Sequence, residues 1–232
     1  MEKKALIIIP AYNESESIQK TIEDIQSKET GFDYVVINDC STDNTLDILK
    51  ENSFNYISLP VNLGIGGAVQ TGFIYAAKNG YDYAVQVDGD GQHDVSYLKG
   101  MLETLQENDA DMVIGSRFIT NEGFQSTFMR RVGITYFTWL IKVLTGETVT
   151  DPTSGFRLVN RDVIEMFAED YPKDYPEPES VVAILKREKK VVEEPVVMKE
   201  RQGGVSSIRL WKSAYYMIKV TLAILIECTR RH

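Results

Sequence analysis

The chain has 232 residues, 43% of them hydrophobic, which is enough to bury one sizeable core, so a single domain over residues 1–207 with a tail over residues 208–232 is expected. A formal net charge of −9 argues against non-specific nucleic-acid binding. The charge is uneven, since seven basic residues face two glutamates between Lys199 and His232, which makes the C-terminal segment suited to an anionic surface. Cys40 and Cys228 lie far apart without metal-type spacing and fit a reducing compartment, and Met1 leads into a strand rather than a signal peptide.

Ala5 to Ile9 is a short continuous apolar run, the pattern of a buried parallel strand, with Pro10 expected to end it. Asn13 and Glu16 have capping-box spacing, and Ile18, Ile22 and Ile25 then recur at helical spacing, predicting a helix to about Lys28. Tyr34 to Ile37 reads as a second strand, followed by a polar loop and a helix through Leu46 and Leu49. Phe54 to Leu59 is a third strand, and Asn62-Leu63-Gly64-Ile65-Gly66-Gly67 opens a helix through Ala68, Phe73 and Ala76. Tyr83 to Val87 is a fourth strand, Leu98 to Leu105 a helix, and Met112 to Gly115 a fifth strand. This alternation predicts an α/β fold: a mostly parallel central sheet with helices on both faces.

In such a sheet the loops after the strands converge on one crevice, and the polar clusters fall there: Tyr12-Asn13-Glu14, Asn38-Asp39, Asn62 to Gly67, Asp88 to Gln92, and Ser116-Arg117. Asp88-Gly89-Asp90 places two carboxylates two residues apart on a loop, where both can reach one hard cation, and Gln92 adds a neutral oxygen. Such donors suit Mg²⁺ or Mn²⁺ with positions left for substrate phosphates. The plain alternative is a solvated turn. The glycine-rich loop is equally compatible with a phosphate contact and with close packing of its helix. His93 reads as a polar turn residue beside the aspartate loop rather than a ligand.

The motifs PAYNE, NDCSTD, NLGIGGA, VDGDGQHD, GSR and TSGFR, in this order over roughly Lys4 to Ser207, resemble family 2 inverting glycosyltransferases of the Rossmann-like GT-A fold. The branch they resemble is the dolichyl-phosphate mannose synthase-like, or polyprenyl-phosphate glycosyltransferase, group. The resemblance implies metal-dependent transfer of one sugar from a nucleotide diphosphate sugar. It assigns Pro10, Tyr12 and Glu14 to donor contacts, Ile37 and Asp39 to nucleobase and ribose, and Asp88, Gly89 and Asp90 to the metal and diphosphate. Gln92 becomes a further metal ligand, and Arg117 and Arg201 become phosphate contacts. Cys40 stands where the family usually has glycine, and Ser207 where many relatives have lysine, which removes one diphosphate contact.

Phe128 begins a long apolar helix bearing Arg130, Arg131 and Lys142, which suits either a buried core helix or one at a membrane interface. The lipid-phosphate branch has an arginine and a hydroxyl four residues apart here, so the resemblance makes Arg131 and Thr135 acceptor contacts. Asp151 is the candidate general base for a hydroxyl acceptor or, equally, a turn cap for Thr153 and Ser154. Val191 to Met198 reads as a late strand. Ile208 to Ile226 predicts an amphipathic tail helix too short to span a bilayer, lying on a membrane or docking to its own domain, a twin subunit or a separate membrane subunit. The expected protein is a cytoplasmic glycosyltransferase, peripheral on the inner face of the plasma membrane, moving a sugar from a nucleotide sugar, UDP favoured, to polyprenyl phosphate for cell-envelope glycan synthesis. Transfer to a hydroxyl of a growing glycan and a non-catalytic nucleotide-sugar-binding subunit are the alternatives.

Overall fold

The computed structural model describes residues 3–28, 30–120, 128–173, 175–199 and 210–230. Its first half runs β1 (Ala5–Ala11), α1 (Ile18–Ser27), β2 (Asp33–Asn38), α2 (Thr45–Glu51), β3 (Tyr56–Ser58), α3 (Gly64–Lys78) and β4 (Tyr83–Gln86). A short 3-10 turn, Val95–Tyr97, leads into α4 (Leu98–Glu107), β5 (Met112–Ser116) and α5 (Phe128–Thr145). Then come β6 (Arg157–Asn160), α6 (Arg161–Glu169), α7 (Pro176–Lys186), β7 (Val191–Pro195) and α8 (Leu210–Thr229). The strands form one seven-stranded sheet in the order β3-β2-β1-β4-β6-β5-β7, parallel throughout except for β6, which pairs antiparallel with both neighbours.

β1 is central and buried on both faces, which is why its sequence is a continuous apolar run. Its side chains alternate between two cores: Leu6 and Ile8 pack with α3, α6 and α7, while Ile7 and Ile9 pack with α1 and α4. Each fully buried isoleucine contributes about 1.5–3 kcal/mol of transfer free energy. Pro10 does not end the strand, which continues to Ala11 in register with β2. β4 pairs only as far as Ile8, so at Pro10 the β4 side of β1 is locally an edge and the missing N–H breaks no ladder bond.

Helix α1 begins at Ile18, later than the Asn13 and Glu16 spacing suggests. Asn13 instead takes a left-handed conformation (φ 56°), tolerable for asparagine, and its side-chain oxygen accepts from the amides of Thr42 (2.8 Å) and Asp43 (3.3 Å). It therefore ties the β1 and β2 loops together. β6, α6 and α7 were not anticipated from the sequence, although Val163, Ile164 and Phe167 lie at helical spacing on α6. β6 has four residues, too few for a period, and α6 starts where the Asn160 side chain accepts from the Val163 amide (3.1 Å).

Close packing requires Gly66 of the glycine-rich loop and, further along α3, Gly72. A Cβ on Gly66 would sit 2.1 Å from the Pro172 carbonyl oxygen, and one on Gly72 would sit 2.2 Å from Ile8 Cγ2. Replacing Gly72 by alanine therefore sets a gain in helix propensity of about 1 kcal/mol against an overlap with a fully buried central strand. The overlap wins: Gly72→Ala should lower the unfolding free energy by about 1–2 kcal/mol, read as a lower urea midpoint at unchanged slope.

Candidate functional site

Because β6 runs against the other strands, the loop before it reaches the same sheet edge as the loops after β1, β2, β4 and β5. Residues 151–156 thus meet the aspartate loop. A cavity of about 540 Å³ beside Asp33, Tyr34 and Tyr81 lies at the opposite edge, where the strands begin, and takes in none of these residues.

Asp88 leaves β4 with its side chain about one-third exposed and its geometry fixed from several sides. Its backbone N–H donates to His93 Nδ1 (3.0 Å), and Gln86 Nε2 donates to its Oδ1 (3.0 Å). Acceptance at Nδ1 leaves the imidazole proton on Nε2, which lies 3.7 Å from Asp88 Oδ2. The His93 ring is buried and stacks on Phe156, with centroids 4.9 Å apart and an interplanar angle of 16°. A Cβ on Gly155 would lie 2.9 Å from Gln86 Nε2 and 3.4 Å from Asp88 Oδ2, so the TSGFR glycine is what lets this loop approach the carboxylate.

Asp90 is buried, its Oδ1 accepting from the Gln92 amide (3.0 Å). Gly89 lies against the loop after β1, where a Cβ would come within 3.3 Å of the Pro10 carbonyl and 3.7 Å of Glu14 Cγ, and its own carbonyl accepts from Thr21 Oγ1 (3.2 Å). Past the loop, burial pushes the Asp94 carboxyl up. Hydrogen bonds from Lys28 and the Ser96 amide, with the charge of Lys199, outweigh this and hold it well below the usual carboxylate range. Lys199 also donates its amide to the Gln92 carbonyl (3.0 Å), so the chain leaving β7 rests on the aspartate loop.

On the β2 side, Tyr12 is exposed, Ile37 is fully buried, and Asp39 is buried with both oxygens engaged. Its Oδ1 accepts from the Leu63 amide (2.7 Å) and its Oδ2 from the Gly64 amide (2.9 Å), so Asp39 satisfies the first donors of α3. Opposite, Arg117 and Asp151 form a buried bidentate pair, Nε to Oδ2 and Nη2 to Oδ1, both at 2.7 Å. The Arg117 amide donates to Oδ2 as well (3.2 Å), and Nη2 reaches Thr153 Oγ1 (3.1 Å). Glu193 on β7 fixes this loop by accepting from the Thr150 and Asp151 amides at 2.7 and 2.9 Å. Asp151 is thus fully buried on Arg117, where an open carboxylate poised in the cleft had been one expectation.

Arg131 and Thr135 are exposed on α5, and the Thr135 hydroxyl donates to the Arg131 carbonyl within the helix (3.0 Å). α5 reaches the site loop through Thr138, whose hydroxyl donates to the Thr150 carbonyl (3.4 Å), about two turns beyond Arg131 and under one turn beyond Thr135. Arg201 and Ser207 lie outside the described residues.

Gln86, Gly155, Glu193 and Arg157 were not legible as site residues, although a lone glutamine closing an apolar strand run is a signal for the first. Arg157 is buried, with Nε on the Ser154 carbonyl (2.6 Å), Nη2 on the Pro152 carbonyl (2.7 Å) and Nη1 on Ser180 Oγ (2.7 Å). Burial lowers the pKa of its guanidinium, against the charges of Glu177 and Asp151.

Among the described residues, no three His, Cys, Asp or Glu side chains are grouped to hold a metal by themselves. Two carboxylates and an amide oxygen on one loop nonetheless fit Mg²⁺ or Mn²⁺, which take oxygen ligands and share their shell with substrate phosphates. His93→Phe keeps the ring stack but strands the Asp88 amide, at a cost of about 1–3 kcal/mol. The melting temperature should fall modestly and Mn²⁺ affinity, titrated by electron paramagnetic resonance, should weaken about tenfold or more.

A family model for glycosyl transferase family 2 matches residues 6–167. The chain is 29% identical over 214 residues to the undecaprenyl-phosphate mannosyltransferase of Micrococcus luteus, covering 88% of this chain and 87% of that one. It is 28% identical over 207 residues to the UDP-N-acetylglucosamine--dolichyl-phosphate N-acetylglucosaminyltransferase of Methanococcus voltae, covering 81% and 82%. In fold it is similar to glucosyl-3-phosphoglycerate synthase from Mycobacterium tuberculosis, solved with Mn²⁺, uridine diphosphate and phosphoglyceric acid. The TM-score is 0.73 at 19% identity, over 99% of this chain and 80% of that one.

Proposed function

The chain belongs to glycosyl transferase family 2 and is a glycosyltransferase, and from that premise we propose that it moves one sugar from a nucleotide diphosphate sugar to polyprenyl phosphate, with inversion at the anomeric carbon. The observation that carries this reading is the burial of Asp151 on Arg117. A hydroxyl acceptor must lose a proton as it attacks, and a positioned base contributes about 10²–10⁴-fold. A phosphate monoester, with a second pKa near 6, is already anionic at neutral pH and needs only cationic groups to place it. We assign Asp151 a positioning role: it holds Arg117 rather than taking a proton. The names of the Micrococcus and Methanococcus relatives, both acting on polyisoprenoid phosphates, support the same acceptor, and the second supports UDP as the donor nucleotide.

In this reading the donor lies across the strand ends, with Tyr12 and Asp39 at the nucleoside, Pro10, Glu14 and Gly89 beside it, and Arg117 at the phosphates, while Ile37, expected at the nucleobase, is fully buried and backs that wall from the core. Asp88, Asp90 and Gln92 would hold Mg²⁺ or Mn²⁺, which when bound offsets the diphosphate charge and acts as a Lewis acid on the leaving group. The Mn²⁺ and uridine diphosphate in the Mycobacterium tuberculosis structure support such a site. Arg131 and Thr135 would position the acceptor phosphate. Its oxygen forms the new bond to the anomeric carbon from the face opposite the diphosphate, which departs with the electron pair of the broken C–O bond. Arg201 would add a further phosphate contact. Residues 1–207 would carry the catalysis and residues 208–232 the association with the membrane, on the inner face of the plasma membrane, with a membrane subunit or a second copy as compatible company.

The test is acceptor choice. With a panel of nucleotide sugars, Mg²⁺ or Mn²⁺, and mass-spectrometric product analysis, sugar should pass to short-chain polyprenyl phosphate and not to the corresponding polyprenol. Comparable transfer to the alcohol would overturn the reading. Asp90→Asn, or chelation of the wild-type enzyme, should cut turnover by at least about 10²-fold with the fold retained by circular dichroism. Arg131→Ala should raise the KM for polyprenyl phosphate about 10- to 100-fold, the value of one charge-assisted hydrogen bond, at unchanged donor KM.

A further inference from the structure

Past Pro195 the chain stays apolar on one side. Val196 and Met198 are buried in the core that packs on α1 and α4, and the Val196 amide donates to the Ser116 carbonyl (3.0 Å). Lys199 follows with its side chain partly exposed, while its backbone arrives at the aspartate loop. There the Lys199 amide donates to the Gln92 carbonyl (3.0 Å), and the Gln92 amide donates to Asp90 Oδ1 (3.0 Å). The main chain of Gln92 is therefore held from both ends, by one of the paired aspartates and by Lys199.

Charge secures the second hold. Lys199 Nζ lies 3.4 Å from Asp94 Oδ2 and 3.6 Å from Asp24 Oδ2. Lys28, at the end of α1, shares both carboxylates, at 2.7 Å from Asp94 Oδ1 and 3.8 Å from Asp24 Oδ1. The Ser96 amide also donates to Asp94 Oδ1 (3.0 Å), which fixes that carboxylate at the start of the 3-10 turn. Asp24 and Lys28 stand one turn apart on α1, so two lysines and two aspartates alternate in a closed ring. It joins the end of α1, the aspartate loop and the segment leaving β7.

All four side chains are between about one-fifth and two-fifths exposed, and ion pairs that wet add little to the stability of a fold. A ring of them sets direction instead. We propose that Lys199 is a positioning residue for the cation site: with its side chain clipped to Asp94 and Asp24, it keeps its amide on the Gln92 carbonyl and so keeps Gln92 in register with Asp88 and Asp90 for one ion. The proposal rests on the reading of those three residues as metal ligands. Its sign separates it from plain electrostatics. A lysine near a cation site repels the incoming ion, so by charge alone the loss of Lys199 tightens binding. Loss of a residue that orients a ligand loosens it.

The test uses the full chain, with Mn²⁺ titrated by electron paramagnetic resonance and hydrogen exchange of the residue 199 amide followed without metal. Lys199→Met should weaken Mn²⁺ binding about tenfold. It should also lower the protection of that amide several-fold, and raise the KM for the nucleotide sugar while leaving the KM for polyprenyl phosphate unchanged. Its melting temperature should stay within about 3 °C of the wild type. Lys199→Arg, which keeps a cation in reach of both carboxylates, should restore most of the Mn²⁺ affinity. Lys28→Met removes the same charge from the same carboxylates without touching a partner of Gln92, and should not weaken Mn²⁺ binding. Unchanged or tighter Mn²⁺ binding by Lys199→Met overturns the proposal. Equal weakening by Lys28→Met does so too, since it would give the role to Asp94 rather than Lys199. A wild-type chain that binds no Mn²⁺ defeats the metal reading itself, and the exchange rates then decide the clamp alone: unchanged protection in Lys199→Met overturns it, and lowered protection upholds it.

Discussion

The site depends on the buried pair between Arg117 and Asp151. Removing two ions from water costs several kcal/mol each, and only good geometry with the remaining hydrogen-bonding capacity satisfied offsets it. Here the pair is bidentate, Asp151 also accepts from the Arg117 amide, and Glu193 fixes the backbone that presents Asp151. Three elements are joined this way: the end of β5, the loop into β6, and the edge strand β7. Losing one partner would leave an uncompensated charge in the interior, at about 3–5 kcal/mol. The pair is thus a wall of the cleft first, and its place in the chemistry follows from what it holds in position.

The two aspartates of the DxD loop are not equivalent. Asp90 is buried, while Asp88 is about one-third exposed, with its amide on His93, its carboxylate against Gln86, and Gly155 close behind. These contacts hold the Asp88 carboxylate in one orientation. The β2 side of the cleft is held similarly, with Asn13 clasping the β2 loop and Asp39 closing the start of α3.

The parallel half of the fold was legible because buried strands such as β1 are nearly continuous apolar runs and helices such as α1 and α4 keep a clear period. The strand-end clusters were legible for the same reason, since topology sends them to one edge. The antiparallel β6 was not: four residues carry no period, and their direction is set by contacts with β4 and β5. Everything that depends on that reversal was hidden with it, including the nearness of Gly155 to Asp88 and the burial of Asp151. Asn13 misled for a local reason, because a residue suited to helix caps is equally suited to a left-handed turn that bonds another loop.

The seating of α8 bears on how the protein can be handled. Val220 and Ile224 are buried, and Glu227, near the helix end, is locked between Arg187 on the α7 side and Arg230, which in turn reaches Asp170 at 2.8 Å. Trimming the tail to gain solubility would uncover the core side of α7 and strip Arg187 of its carboxylate, so the greasy outer stripe cannot be separated from the inner one that completes the domain. Detergent or lipid during purification is therefore the gentler remedy, and surface substitutions at Ile218 or Ile226, which leave the inner stripe whole, are the better engineering route.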